Sequence, residues 1–377
     1  YFPELESAAD EFIKKYKLKE IIKEKDDRYI LLAKGCTYEI SKVASGGSSE
    51  ITIRANNLVI DGDGLSTIVR FNLDANHTGI RVGRKGAPVQ NIVIRKMTLD
   101  GQITTNTTSD FGVRTLVDTD NGSDNVLIEH IYAKNVLMQH FRGNDASHVT
   151  QRYNWVDRSQ QYHGIQNDER YRNTAIYSNF VTRTGESKDK DGYGIDSHGS
   201  GVEIAGNYIY KTTLGAKIPD AKYLFFHHNV IDQPSGRGGN LGVRTYWDTA
   251  ENNPEQPQYQ LFYANYFDIR SGADSGDPKQ AVMFRAVRHG FMIGNRFGAV
   301  EKLVRNPSDA GTNVSAYVCI ENGVSEVTAD SFSFGENTQS YDGATIDKTD
   351  ADFDFQKFQS YDNSPTFYPC VDLNYHL

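Results

Sequence analysis

Six consecutive residues, Tyr193-Gly194-Ile195-Asp196-Ser197-His198, bring a phenol, a carboxylate and an imidazole into one short stretch. Read as a strand with a glycine entry, the stretch alternates its side chains, so Asp196 and His198 share one surface while Ile195 and Ser197 take the other. Two titratable groups on one surface can move protons, or can simply be wet. What the neighbouring strands place beside them decides between these.

Those neighbours follow a degenerate repeat. One strand type ends in Asn, at Asn179, Asn207, Asn229, Asn265 and Asn295, with an aromatic or aliphatic residue next in all but the last, where Arg296 precedes Phe297, and with intervals of 28, 22, 36 and 30 residues. Such intervals suit one turn of a right-handed parallel β-helix, in which stacked turns let the Asn amides form a ladder at the strand spacing of about 4.8 Å. Earlier turns fit less tightly, at Ile92-Val93-Ile94 to Leu99 and Val126-Leu127-Ile128 to Ile131.

A second strand type lies between the Asn strands: Phe111-Gly112-Val113-Arg114, Gly164-Ile165-Gln166-Asn167-Asp168, the stretch at 193–198, Gly215-Ala216-Lys217-Ile218, Gly242-Val243-Arg244-Thr245-Tyr246 and Ala281-Val282-Met283-Phe284-Arg285. Aligning the glycines puts Val113, Ile165, Ile195, Ala216, Val243 and Val282 in an inward column. The outward column is Arg114, Gln166, Asp196, Lys217 and Arg244, with Asp168, His198, Tyr246 and Arg285 two residues further along. Stacked repeats turn sequence register into spatial proximity, so this is one exposed strip. His140 and His163 fall near it, whereas His227 and His228 flank the Asn ladder and read as structural.

The fold expected is all-β, a right-handed parallel β-helix over 29–306, with an amphipathic helical cap in 1–28 and terminal turns plus a capping segment in 307–377. The cap rests on apolar residues at helical spacing among charges in 5–25. A hydrophobic content of 38% with 24% charged residues is that of a soluble globular protein. No apolar run approaches the ~18 residues of a membrane span. A net charge of -9 argues against a nucleic-acid partner, and an acidic polymer would need a locally basic groove.

Cys36, Cys319 and Cys370 have no metal or redox spacing, and their pairing is left open. The run from Glu186 to Gly192, and Asp118, Asp120 and Asp124, hold enough oxygens to make Ca²⁺ a candidate, with no defined calcium loop. Four sequons, starting at Asn76, Asn106, Asn121 and Asn313, are read as chance triplets. No signal peptide is visible; a start at Tyr1 reads as a processed or trimmed chain, with a secreted or periplasmic location expected.

The stretch at 193–198 resembles the Tyr-Gly-Phe-Asp-Pro-His signature of the mannuronan (alginate) C5-epimerases, with Ile195 for Phe, Ser197 for Pro, and Gly199 where an acidic residue often follows the His. The resemblance implies a right-handed parallel β-helix acting on an anionic, uronic-acid polysaccharide; a monomer is expected. Epimerisation at C5 removes a hydrogen alpha to a carboxylate whose charge must first be neutralised. Lys217 and Arg244 are the cations placed for this, and His198 is the natural base. Tyr193 or Tyr246 is the candidate acid, while Asp196 orients the imidazole or accepts sugar hydroxyls. Gln166, Asp168, Arg114, His163, Tyr246 and Arg285 are candidates to line the substrate.

Two alternatives stay open. If the leaving oxygen at C4 takes the proton instead of C5, the same intermediate gives β-elimination and the enzyme is a lyase. A glycan-binding or hydrolysing β-helix would instead use Asp168 and Asp196 as a carboxylate pair.

Overall fold

The computed structural model describes residues 28–41, 51–73, 77–84, 86–103, 113–168, 171–186, 192–219, 221–232, 234, 241–246, 258–269, 280–285, 288–297, 302–306, 316–320 and 332–334. The helix expected within 5–25 lies outside them. Among the described residues there are strands and no helix.

Three strands follow one another and then repeat. Ser200–Ala205 (the first face), Tyr208–Tyr210 (the second) and Leu214–Pro219 (the third) pair in parallel with Lys222–His227, Val230–Asp232 and Leu241–Tyr246 one coil later. They pair equally with Arg172–Tyr177, Phe180–Thr182 and Tyr193–Ser197 one coil earlier. The first two faces join in one 18-stranded sheet, through long strands such as Ser123–Val136, and the third forms an 11-stranded sheet. Parallel pairing continues beyond residue 306, where Phe332–Phe334 adds to Lys302–Asn306.

Alternation sends one side of every strand into the space between the faces. On the third face the inward column is Val117, Phe141, Ile165, Ile195, Ala216, Val243 and Val282, in continuous register. All are at most 1% exposed, and burial of each Val, Ile or Phe among them contributes about 1.5–3 kcal/mol. Val113 is not in this column. It precedes the strand Thr115–Thr119, and Val117 and Phe141 supply the two rungs below Ile165. The Gly112-Val113-Arg114 triplet imitates the motif without occupying its register.

The Asn ladder forms, and it starts one coil earlier than the repeat indicates. Asn154 donates from Nδ2 to Asn179 Oδ1 at 3.0 Å, and the chain of amides continues through Asn207, Asn229 and Asn265 to Asn295 at 2.9–3.1 Å. Each Oδ1 also accepts the backbone N–H of the Asn before it, as Asn229 does from Asn207 at 3.0 Å. The ladder therefore satisfies turn donors that burial would otherwise orphan.

The glycines of the third face answer a different need. A Cβ on Gly164, Gly194, Gly215 or Gly242 would lie 2.2–2.9 Å from the backbone oxygen of the next rung. His140 stands one coil below Gly164 in this column, wholly buried, with Nε2 2.8 Å from Asp157 O. Its ring therefore faces the interior rather than the strip. Burial, partly offset by that hydrogen bond, pushes the imidazole down to about 4. The neutral ring is thus native, while the unfolded chain takes up a proton near pH 6.5. Stability is expected to hold above pH 6.5 and to decline between 6.5 and 4, by on the order of 3 kcal/mol. Urea midpoints across that range check this, and His140→Gln should flatten the decline.

Candidate active site

Register on the third face sets one outward column: Arg81, Asp118, Arg142, Gln166, Asp196, Lys217, Arg244. Gln166, Asp196, Lys217 and Arg244 stand where the repeat puts them. Arg114 does not. It is exposed and lies just before its strand, and Asp118 and Arg142 occupy the rungs below Gln166.

At the centre, the Asp196 carboxylate is 1% exposed and collects three basic groups. His163 Nε2 is 3.1 Å from Oδ2, His198 Nε2 is 3.3 Å from Oδ1, and Lys217 Nζ is 3.8 Å from Oδ2. Burial alone would raise its pKa. The His163 and His198 rings, the hydrogen bond from His198 and the Lys217 ammonium together outweigh burial and hold the carboxyl well below the usual carboxylate range. Asp196 is therefore a fixed anion.

Backbone geometry assigns one tautomer. Tyr193 N–H donates to His163 Nδ1 at 3.1 Å, which leaves the ring proton of His163 on Nε2, facing Asp196. Both nitrogens of His163 are thus engaged, and it acts as a brace. With its Nε2–H toward the ionised carboxylate, His198 carries its lone pair on Nδ1, the atom able to take a proton. His198 is buried, at 3% exposure, and its backbone N–H donates to the Asn167 backbone carbonyl at 2.7 Å. The strip is thus covered at its centre. Period-two alternation places Asp196 and His198 on the outer side, but says nothing of what lies over that side.

Around this centre the groups are more open. Lys217 keeps 17% of its side chain exposed, with Nζ 6.0 Å from the centre of the buried Tyr193 ring, which in turn lies 5.3 Å from the ring of His163. Arg244 is partly exposed one rung on. Tyr246 stands opposite Pro219 and Arg285 in register, two residues past Arg244.

On the other flank runs a chain of amides. Gln139 Nε2 donates to Gln166 Oε1 at 2.7 Å, and Gln166 Nε2 donates to Asp168 Oδ1 at 3.1 Å. Arg142 Nη2 is 3.6 Å from Asp168 Oδ2. Asp118, with Arg81 4.0 Å away, is buried; burial lifts its carboxyl to about 6, while Arg142 and Arg81 hold it down in part. Gln139, Asp118 and Arg142 were not legible as strip residues, because Leu116-Val117-Asp118 and His140-Phe141-Arg142 lack the glycine that marks the other rungs.

Gly199 also finds its reason here. Its φ is +106°, and a Cβ would lie 2.3 Å from Tyr171 O, so no side chain fits after His198.

The described carboxylates among those weighed for Ca²⁺ have separate partners, and residues 187–191 lie outside the described residues. Asp124 Oδ1 is 2.7 Å from His148 Nδ1, Glu186 Oε2 accepts from Arg158 at 2.9 Å, and Asp120 Oδ1 accepts from Asn121 N–H at 2.7 Å. Among the described residues no three His, Cys, Asp or Glu side chains gather into a metal site. Cys36 is an exposed free thiol, and no described helix is long and apolar enough to cross a membrane.

No protein-family model and no curated protein sequence matches the chain. Solved structures of similar form include DFA-IIIase from Arthrobacter chlorophenolicus A6, at 13% identity and a TM-score of 0.58 over 90% of this chain and 86% of that one. The same enzyme in complex with GF2 gives 13% identity and 0.53 over 80% and 87%. The mannuronan C-5 epimerase AlgE6 A-module from Azotobacter vinelandii gives 16% identity and 0.41 over 83% and 92%, too slight a likeness to argue from. The chain is therefore similar in fold to DFA-IIIase, and at these identities the similarity concerns the fold alone.

Proposed function

We propose that the stacked coils wind as a right-handed parallel β-helix and that the third face is the active site of a secreted mannuronan C5-epimerase acting on an alginate-type polyuronate. Right-handed winding is the general hand of parallel crossovers. The observation that carries the reaction is the fixed Asp196 anion holding His163, His198 and Lys217, with Arg244 on the next rung. DFA-IIIase, similar in fold, has been solved with GF2 and with DFA-III, which supports a sugar-binding reading.

Lys217 and Arg244 neutralise the C6 carboxylate, so the electron pair left by C5 deprotonation is stabilised as it spreads onto that group. His198 takes the C5 proton, with Asp196 fixing its ring. Tyr193 or Tyr246 returns a proton to the opposite face. A buried base acts only on a sugar pressed against it, and the two outer cations hold the sugar there. Gln166, Asp168 and the Arg142 guanidinium meet the neighbouring units of the polymer. Elimination to an unsaturated product is the second exit of the same intermediate.

Hydrolysis by Asp168 and Asp196 is the weaker reading. It needs both carboxyls to reach the scissile bond, whereas Asp196 is 1% exposed and engaged by His163, His198 and Lys217.

Incubation with polymannuronate in D₂O tests the proposal. Deuterium entering C5 without ultraviolet absorbance of an unsaturated uronate is expected. Absorbance would make the enzyme a lyase, and neither signal would remove both readings.

A further inference from the structure

The second face carries an aromatic column that the chemistry above does not use. Tyr132, Trp155, Phe180 and Tyr208 stand opposite one another on four successive rungs. Their ring centres are 4.4, 6.0 and 5.6 Å apart, with interplanar angles of 26°, 45° and 38°. The rings therefore fan apart instead of closing into a flat pile. Trp155 remains 42% exposed and Tyr208 38%.

This exposure is not general to the outer surfaces. On the first face the column Val59, Val93 and Leu127 lies outside the main core, yet is 0–6% exposed. The protein covers one outward apolar column and leaves the other open. Exposed apolar patches of this kind mark binding surfaces.

Shape and charge select the occupant. Face-two strands such as Phe180–Thr182 and Tyr208–Tyr210 are three residues long, so each offers two outward positions, and the aromatic ribbon is one ring wide. A ribbon this narrow, about 14 Å along four rungs of ~4.8 Å, falls well short of the ~800 Å² per partner that a stable protein interface buries. It does suit a thin linear polymer lying along the stack. Beside it run Lys134, Asp157, Thr182, Tyr210 and Asp232. Lys134 is 3.4 Å from Asp100, and Arg183 donates to Asp157 at 2.8 Å, so these charges cancel. Asp232 accepts from the Tyr208 hydroxyl at 2.6 Å and has lone pairs left for other hydroxyls. The border thus offers acceptors for sugar hydroxyls and no net attraction for a polyanion.

We infer that the Tyr132–Trp155–Phe180–Tyr208 column is a binding site for a neutral polysaccharide chain, distinct from the polar strip on the third face. C–H faces of the sugar rings pack on the aromatic rings, and the partly exposed Asp232 carboxylate accepts hydroxyl protons. The inference does not depend on the reaction proposed for the third face.

Affinity electrophoresis of the whole chain through gels containing hydroxyethyl cellulose, galactomannan or polymannuronate tests it, with sedimentation velocity at several concentrations alongside. Retardation by a neutral polymer is expected. Trp155→Ala/Tyr208→Ala should weaken it by about tenfold or more, leaving turnover at the third face unchanged. Tyr208→Ala alone, which spares the Tyr132–Trp155 stack, should give a smaller loss in the same direction and guards against a folding defect. No retardation by either neutral gel, retardation undiminished in a folded double variant, or retardation by polymannuronate that the double variant loses would overturn the inference. So would concentration-dependent self-association abolished by the same substitutions, which would make a second copy of the chain the occupant.

Discussion

Asp196→Asn is expected to lower the proposed turnover on polymannuronate by about 10²–10⁴-fold, the usual worth of the acid–base group that Asp196 positions, while the coils remain folded at low temperature. The reason is the crowd around this one carboxylate. Two imidazoles and an ammonium reach it within 3.1–3.8 Å, and an amide can serve as acceptor toward only one side of that set. The ring of His198 then loses the contact that fixes its tautomer. A purely structural role would change the unfolding midpoint and leave turnover per folded molecule intact. Turnover within about tenfold of the parent, measured on folded enzyme, would therefore remove Asp196 from the mechanism.

The same substitution has a pH signature. The folded carboxyl lies below its unfolded value, so its stabilising contribution is complete above about pH 4 and is lost as pH falls through the folded value. The stability gap between parent and Asp196→Asn, about 1–3 kcal/mol at neutral pH, should accordingly shrink in acid. Urea midpoints at several pH values check this; a gap that widens in acid would mean the carboxylate is not the stabilising form.

Gly215→Ala is the second large effect. A Cβ there would sit 2.2 Å from Gly242 O and 2.7 Å from Ile231 Cγ2, and the nearer atom is backbone that cannot rotate away. The rungs bearing Lys217 and Arg244 must then move apart, at a cost of about 1–3 kcal/mol or more from overpacking. Gly194→Ala should cost less, because its closest contact is a side-chain methyl of Ile209 at 2.5 Å and the backbone oxygen of Gly215 is 2.9 Å away. Denaturant unfolding of both variants tests the ranking, and a reversed order would mean that rung spacing does not limit this column. Under the proposed function, turnover should fall with Gly215→Ala beyond what the loss of folded protein explains, since the spacing of Lys217 and Arg244 changes.

Much of this was legible in the amino-acid order because a stacked repeat writes its contacts into intervals. Asn179 to Asn295 could be read as a ladder before any coordinates, since an amide can bond its counterpart only where each coil returns to the same place. Asn154 escaped notice because Arg152 and Tyr153 stand where the other repeats carry the apolar pair or small residue. The lower rungs of the strip were misread for a similar reason. Gly112-Val113-Arg114 carries the motif, whereas the strands that occupy the register carry Asp118 and Arg142 without a glycine.

The sequence by itself determined the alternation that sends Ile195 inward and Asp196 outward, and the register that sets Gln166, Asp196, Lys217 and Arg244 on consecutive rungs, because both depend only on strand period and coil length. Tertiary structure decided how those groups are used. Whether an outward residue meets solvent depends on what packs over it, and that packing buries Asp196 and His198 while leaving Trp155 and Tyr208 exposed on another face. Packing also brought His163 onto the far oxygen of Asp196, a contact set by where the strand entry turns and not by any spacing along the chain.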